Sequence, residues 1–258
     1  MRALAHVSDL HIGRDEATDE AARQLCAALL DADVDQVLLT GDVTHRGRAS
    51  ELRRFEEIFA PLLSSGRLVT VPGNHDRMGD DAGRALMDGG RVAVARLSGL
   101  YTVRVDSTAP HNRNLIQGHG LLTPADLDAV SHALAEAPAG ALVAVMLHHH
   151  LMPLPEEDLA ERLASFFGWP FAAELPLGPA LLETLRGRCD LVLHGHRHVT
   201  SGAVLGELSD RPLQVLNAGS STLTRQARII EHDGGRILRE QWLALPDGAT
   251  PALAPVAA

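Results

Sequence analysis

Asp9-Leu10-His11, Gly41-Asp42, Gly73-Asn74-His75-Asp76, His148-His149-His150 and Gly195-His196-Arg197-His198 are five short clusters of carboxylate, amide and imidazole side chains. These are the residue types that hold divalent metals, and their number is enough for two ions. A two-metal hydrolytic centre keeps its cations roughly 3.5–4 Å apart, so an anion has to lie between them to offset their repulsion. Asp42, a carboxylate alone behind Leu38-Leu39-Thr40-Gly41, suits that bridge. Asp9 and His11 are two residues apart, so on an extended strand or its continuation both side chains face the same way and can take one metal. His196 and His198 repeat the spacing and can send one imidazole to each metal. Asn74 offers a neutral oxygen, which leaves a cation more electrophilic than another carboxylate would. Mixed nitrogen and oxygen donors of this kind suit Mn, Fe, Zn or Co better than Ca.

Secondary elements must bring residues so far apart in the chain to one place. Each cluster follows an apolar, β-branched run that reads as a buried strand, so all five are expected to emerge at one edge of one sheet. Strands are expected at 2–8, 36–40 and 68–71, as two short runs within 91–105, and at 141–147, 190–193, 213–216, 227–231 and 236–243. Apolar residues at helical spacing predict helices over 16–31 and about 49–63, and a third runs from the cap Thr123-Pro124 to 136. Strand–helix alternation early and denser strands late predict an α/β fold: two mixed sheets, flanked by helices. We expect a single domain over 1–245, with a cap segment at 151–180, and a Pro- and Ala-rich tail at 246–258.

Taken singly, the clusters are ordinary. Asp-x-His is usually a surface pair, Gly-Asp a turn, and Gly-Asn-His-Asp a turn with a helix cap. Their conjunction and order carry the reading: D-x-H, GD, GNH followed by an acid, a lone ligand His, then GH-x-H. At these residues, which span 4 to about 220, the chain resembles the calcineurin-like metallophosphoesterases, and most of all the bacterial class III cyclic-nucleotide phosphodiesterase branch. The resemblance implies a four-layer metallophosphoesterase-type sandwich and a first metal on Asp9, His11, Asp42 and His198. It implies a second metal on Asp42, Asn74, His196 and one His of the triplet. His149 is favoured there, because the family's ligand is followed by one more residue before a Pro-containing turn. Leu151-Met152 precede Pro153 here, so His148 stays open, and on a strand the two would face opposite sides.

The chemistry implied is attack on phosphorus by a hydroxide shared between the metals, whose coordination lowers the pKa of water by many units. His75 is the residue to protonate or hydrogen-bond the leaving oxygen, with Asp76 fixing its tautomer or favouring its cationic form. His6, His111, His119, His132 and His232 fall outside the motifs and are read as structural.

Composition narrows the partners. All 23 basic residues are Arg, so there is no Schiff-base lysine and no lysine of a Walker A loop. A net charge of −10 speaks against wrapping extended nucleic acid, and a small phosphodiester fits better. No apolar run is long enough to span a bilayer, and the first motif begins within ten residues of Met1, so a cytoplasmic location is expected. Cys26 and Cys189 are expected as reduced, structural thiols. His45, Arg46, Asn112 and Arg113 are candidate substrate contacts in loops beside the motifs. Residues 166–171, which hold four of the chain's eight aromatics, read either as core or a homodimer contact, or as a wall for a nucleobase or lipid. The expected function is therefore a phosphodiesterase acting on a small diester such as a 3',5'-cyclic nucleotide. The alternatives are a nucleotide-lipid pyrophosphohydrolase or nuclease of the same fold, and a non-catalytic binding scaffold.

Overall fold

A computed structural model describes residues 1–87, 90–112, 118–152 and 175–246. The chain opens on β1 (Arg2–Val7), whose alternate side chains part between two apolar layers. Ala5 and Val7 join a core with helix α1 (Glu16–Asp31), while Leu4 faces the other way. Helix α1 begins where predicted because the Asp15 side chain accepts from the Thr18 N–H, satisfying one of the donors a helix start leaves free. After β2 (Gln36–Thr40), the helix expected over 49–63 is broken into α2 (Ala49–Ile58) and α3 (Ala60–Ser64). Pro61 accounts for the break: it has no N–H to donate and crowds the residue before it. The strand β3 (Leu68–Val71) completes the parallel β1-β2-β3 set.

Two antiparallel strands, β4 (Val92–Leu97) and β5 (Leu100–Val105), start a second sheet. It continues through helix α4 (Pro124–Ala135), β6 (Leu142–Met146), helix α5 (Gly178–Leu185) and β7 (Leu191–His194). The remaining strands are β8 (Thr200–Leu205), β9 (Leu213–Ala218), β10 (Gln226–His232) and β11 (Ile237–Ala244). Strand order is β11-β10-β1-β2-β3 in one sheet and β4-β5-β6-β7-β9-β8 in the other. Both mix parallel and antiparallel pairs.

Three apolar layers make this a four-layer sandwich of the expected class. One joins α1–α3 to the first sheet, a second joins α4 and α5 to the second, and the third, with Leu4, Leu38, Ala144, Met146 and Leu193, lies between the sheets. Strand β8 and helix α5 were not expected. The first is an edge strand with Gly202 inside it and no fully buried side chain, so its sequence carries no apolar alternation, and the second begins at the end of the expected cap and runs past it. Most of the 151–180 cap, the 166–171 aromatics and all of the tail beyond residue 246 lie outside the described residues. Among the described residues no helix is long and apolar enough to cross a membrane.

Candidate metal centre

The five motifs do converge, but from two sheets and not from the single edge expected. Asp9, Asp42 and Asn74 follow β1, β2 and β3 of the first sheet; His148 and His196 follow β6 and β7 of the second. The centre sits where the layer between the sheets opens at the carboxyl ends of their parallel strands, a common place for ligands in α/β folds. The loops leaving β1 and β2 run side by side, tied by Asp9 N–H to Gly41 O (3.1 Å) and His11 N–H to Asp42 O (2.9 Å).

The paired donors lie not on the strands themselves but in their immediate continuations, where the backbone is not extended. Asp9 (φ 53°), His11 (49°), Asp42 (48°), His196 (78°) and His198 (53°) all occupy the left-handed region. A non-glycine residue there is uncommon, and its Cβ is crowded by the following carbonyl. The turn after each strand thus swings these side chains round to a common point. Close packing of the loops leaves no room elsewhere: a Cβ on Gly73 would lie 2.2 Å from the Asp42 N and Oδ1 atoms, and one on Gly195 1.8 Å from Ser8 Oγ.

The donor atoms fall into two groups. In the first, His11 Nε2 is 3.0 Å from His198 Nε2 and 3.8 Å from Asp42 Oδ2, and His198 Nε2 is 3.4 Å from Asp9 Oδ1. In the second, Asn74 Oδ1 is 3.0 Å from both His148 Nε2 and His196 Nδ1, and His148 Nε2 is 3.5 Å from Asp42 Oδ1. Asp42 therefore turns one carboxylate oxygen to each group. Donors bound to one cation at about 2.1 Å stand roughly 3 Å or a little more apart, which is the spacing found here.

Charge points the same way. Burial pushes the Asp9 carboxyl up, but His198, His148 and His11 outweigh it and hold Asp9 below the ordinary carboxylate range. Asp42 goes the other way, raised by burial and then by the charges of Asp9 and Asp76. Burial lowers His11 and His148 to about 3, so both stay neutral with a lone pair to give. Buried carboxylates beside neutral imidazoles whose nitrogens face one another make a donor set that a pair of divalent cations fits, because the cations offset the like charges and accept the lone pairs.

His148, not His149, carries its ring into the second group. Leu142, Ala144 and Met146 of β6 face the layer between the sheets, and His148 continues that parity towards its open end, whereas Val143, Val145 and Leu147 face the helices, and His149 follows them. The His148 Nδ1–H donates to Thr40 O at 2.8 Å, which leaves Nε2 free to ligate. His149 bonds instead to Ser107 Oγ (2.9 Å) and Gly118 O (2.9 Å).

Asp76 also differs from expectation. Its carboxylate, fully buried, accepts from the N–H groups of Gly73, Val43 and Thr44 and from the Thr44 hydroxyl, at 2.6–3.1 Å, so it braces two site loops and does not orient the His75 ring. The His75 Nδ1–H donates to His45 O at 2.7 Å. That carbonyl, a partner no motif points to, sets the tautomer and leaves Nε2 as the second ring nitrogen. His75 lies edge-on to His11 with centroids 4.7 Å apart, and the His45 ring stacks near it at 5.6 Å. Among the described residues, ring nitrogens of His11, His45 and His75 come within 4.8 Å of one another. His45 is half-buried and Arg46 exposed at this mouth. The Asn112 side chain and Arg113 lie outside the described residues.

Comparison with known proteins bears on the family and the fold. Residues 3–200 match the model of the calcineurin-like phosphoesterase family. A probable cyclic nucleotide phosphodiesterase of Vesicomyosocius okutanii is 22% identical over 206 residues, 76% of this chain and 78% of that protein. A second, from Ruthia magnifica, is 21% identical over 259 residues, 93% and 98% of the two chains. In fold, the chain is similar to a dimetal phosphatase from Danio rerio, with a TM-score of 0.63 at 10% identity, covering 95% of this chain and 99% of that one. It is also similar to a purple acid phosphatase from yellow lupin, with a TM-score of 0.58 at 11% identity, over 98% of this chain and 57% of that one.

Proposed function

The chain belongs to the calcineurin-like phosphoesterase family, and from that premise we propose that it is a dinuclear metal-dependent phosphodiesterase acting on a small diester, a 3',5'-cyclic nucleotide foremost. The observation that carries the two-metal reading is Asp42, with Oδ2 turned to the His11 group and Oδ1 to the His148 group. The names of the two curated relatives favour the cyclic-nucleotide substrate.

Asp9, His11, Asp42 and His198 would hold one cation, and Asp42, Asn74, His148 and His196 the other. Mn, Fe, Zn or Co, bound there, would polarise the phosphoryl oxygens and lower the pKa of water to the neutral range. The chain's own residues orient the rest. His75, whose Nδ1–H is held by His45 O, has Nε2 left to give a proton or a hydrogen bond to the leaving oxygen. The Asp42 carboxylate also accepts from the His75 N–H at 2.9 Å, so the turn carrying the proton donor is anchored to the bridge itself.

Metal analysis and a turnover panel test this reading. The purified protein is expected to bind two transition metals per chain and to lose diesterase activity on exhaustive chelation. With Mn loaded, cyclic AMP should be turned over faster than glycerophosphodiesters, a nucleotide-lipid pyrophosphate or single-stranded DNA. Full activity after chelation would overturn the metal reading, and fastest turnover of the lipid substrate or of DNA would move the enzyme to the pyrophosphohydrolase or nuclease class.

His75→Ala should separate proton transfer from metal binding. Two metals should remain, while kcat falls by about 10²–10⁴, the range for a lost proton-transfer group. Loss of a metal in this variant would place His75 among the ligands.

A further inference from the structure

His149 lies beside the ligand His148 and its ring packs 4.7 Å from that of His196, yet its own nitrogens bond outside the donor groups and define a second device. Its ring is fully buried. Because a carbonyl can only accept, the 2.9 Å contact with Gly118 O is a donation from Nε2–H, and Nδ1 therefore accepts from the Ser107 hydroxyl, 2.9 Å away. The same Ser107 oxygen accepts from the N–H groups of His148 (3.3 Å) and His149 (3.2 Å). Ser107 O in turn accepts from Leu121 N–H at 2.8 Å. Residues 118–121 are thus tied at both ends to the Ser107–His149 pair.

The tie holds this segment close over the second donor group. A Cβ built on Gly118 would lie 3.8 Å from Asn74 Nδ2 and from His196 Cε1, so the Gly118 main chain is separated from two of the second group's residues by about the width of one methyl group. There is no slack behind it: a Cβ on Gly120 would meet Ser107 O and Leu175 Cδ1 at 2.7 Å and His149 Cγ at 2.8 Å.

We propose that His149 is a positioning residue that, with Ser107, clamps the 118–120 main chain as a wall over the second-metal side and so limits the width of the ester group a phosphodiester can carry there. The proposal rests on the diesterase reading above, and its test separates the two. Bis(4-nitrophenyl) phosphate and methyl 4-nitrophenyl phosphate share a leaving group and differ in the ester group retained, so their intrinsic reactivities cancel when the ratio of kcat/KM values in a variant is compared with that of the wild type, and the change reports how the retained group fits. His149→Ala should keep two metals per chain and shift that ratio about tenfold towards the wider diester, the scale of one lost buried hydrogen bond. In His149→Gln the amide nitrogen can stand in for Nε2 and donate to Gly118 O, so its ratio should return most of the way. Hydrogen exchange at the Leu121 amide should quicken in the Ala variant and be restored in the Gln variant. An unchanged ratio, an equal loss on both diesters, or loss of one metal in His149→Ala would each overturn the clamp. Wild-type protein that holds two metals and hydrolyses neither diester would instead fail the diesterase reading, and Leu121 exchange would still test the clamp.

Discussion

Asp42→Ala is expected to empty both metal sites together and to reduce kcat/KM by at least about 10⁴, a loss on the scale of removing an essential catalytic group. Other ligands should not behave this way. His148→Ala removes a donor from the second group only, so one metal per chain should remain, and His11→Ala should spare the second group in the same manner. The difference comes from geometry: among the described residues, Asp42 is the one carboxylate with an oxygen within 3.8 Å of a ring nitrogen in each group. It also accepts from the His75 N–H, so its removal frees the turn that carries the proton donor. Asp42→Asn keeps this last contact and one neutral oxygen, and should show a weaker form of the same double loss. Metal analysis by mass spectrometry on the four variants decides the matter. An Asp42→Ala protein that retains two tightly held metals would refute the bridge.

Gly195→Ala is expected to be nearly as damaging, through a single methyl group. Its Cβ would stand 1.8 Å from Ser8 Oγ and 2.3 Å from Asp9 Oδ2, in a place where neither neighbour can withdraw. Ser8 Oγ is bonded to Thr40 O at 3.0 Å, and Asp9 Oδ2 accepts from the His196 N–H at 3.0 Å. The loop must move, and it takes His196 and His198 with it. Overpacking a close-packed interior costs about 1–3 kcal/mol or more, and here the displaced groups are also the metal donors. We expect a lower thermal midpoint together with loss of metal from both sites. Gly178→Ala is the matched control, since its added Cβ would meet only ordinary contacts at 3.6 Å and its stability should hardly change. If Gly195→Ala kept its metals and its midpoint, the close approach of the two sheets at this point would be wrong.

Much of this arrangement could be read from residue order. The strands that precede the motifs announce themselves by short β-branched runs, and β2 and β3 begin and end where the pattern says. The donors after them are equally plain, since their types and spacing have few other uses in combination. What escaped had three physical causes. Which sheet a strand joins depends on long-range pairing, so the division of the motifs between two sheets had no local signature. The choice of His148 over His149 was in principle legible: the even residues of β6, Leu142, Ala144 and Met146, could have been matched to the layer that ends at the site. It was missed because an unbroken apolar strand buried on both faces shows no alternation to read. The role of Asp76 depends on where neighbouring N–H groups point, and those of Val43 and Thr44 come from a loop more than thirty residues away.

The five left-handed donors tie the fate of the fold to the supply of metal. Each such residue gives up on the order of 1 kcal/mol relative to a relaxed backbone, in a domain whose whole margin is about 5–15 kcal/mol. Asp9, His11, Asp42, His196 and His198 are held there by the packing of their loops, and bound cations would add the attraction that packing alone must otherwise supply. Ligands that bind only the folded chain raise its stability with the logarithm of their concentration. Scarcity of metal should therefore act on this protein twice, first by slowing its chemistry and then by shortening its life, as the unfolded fraction open to proteases grows.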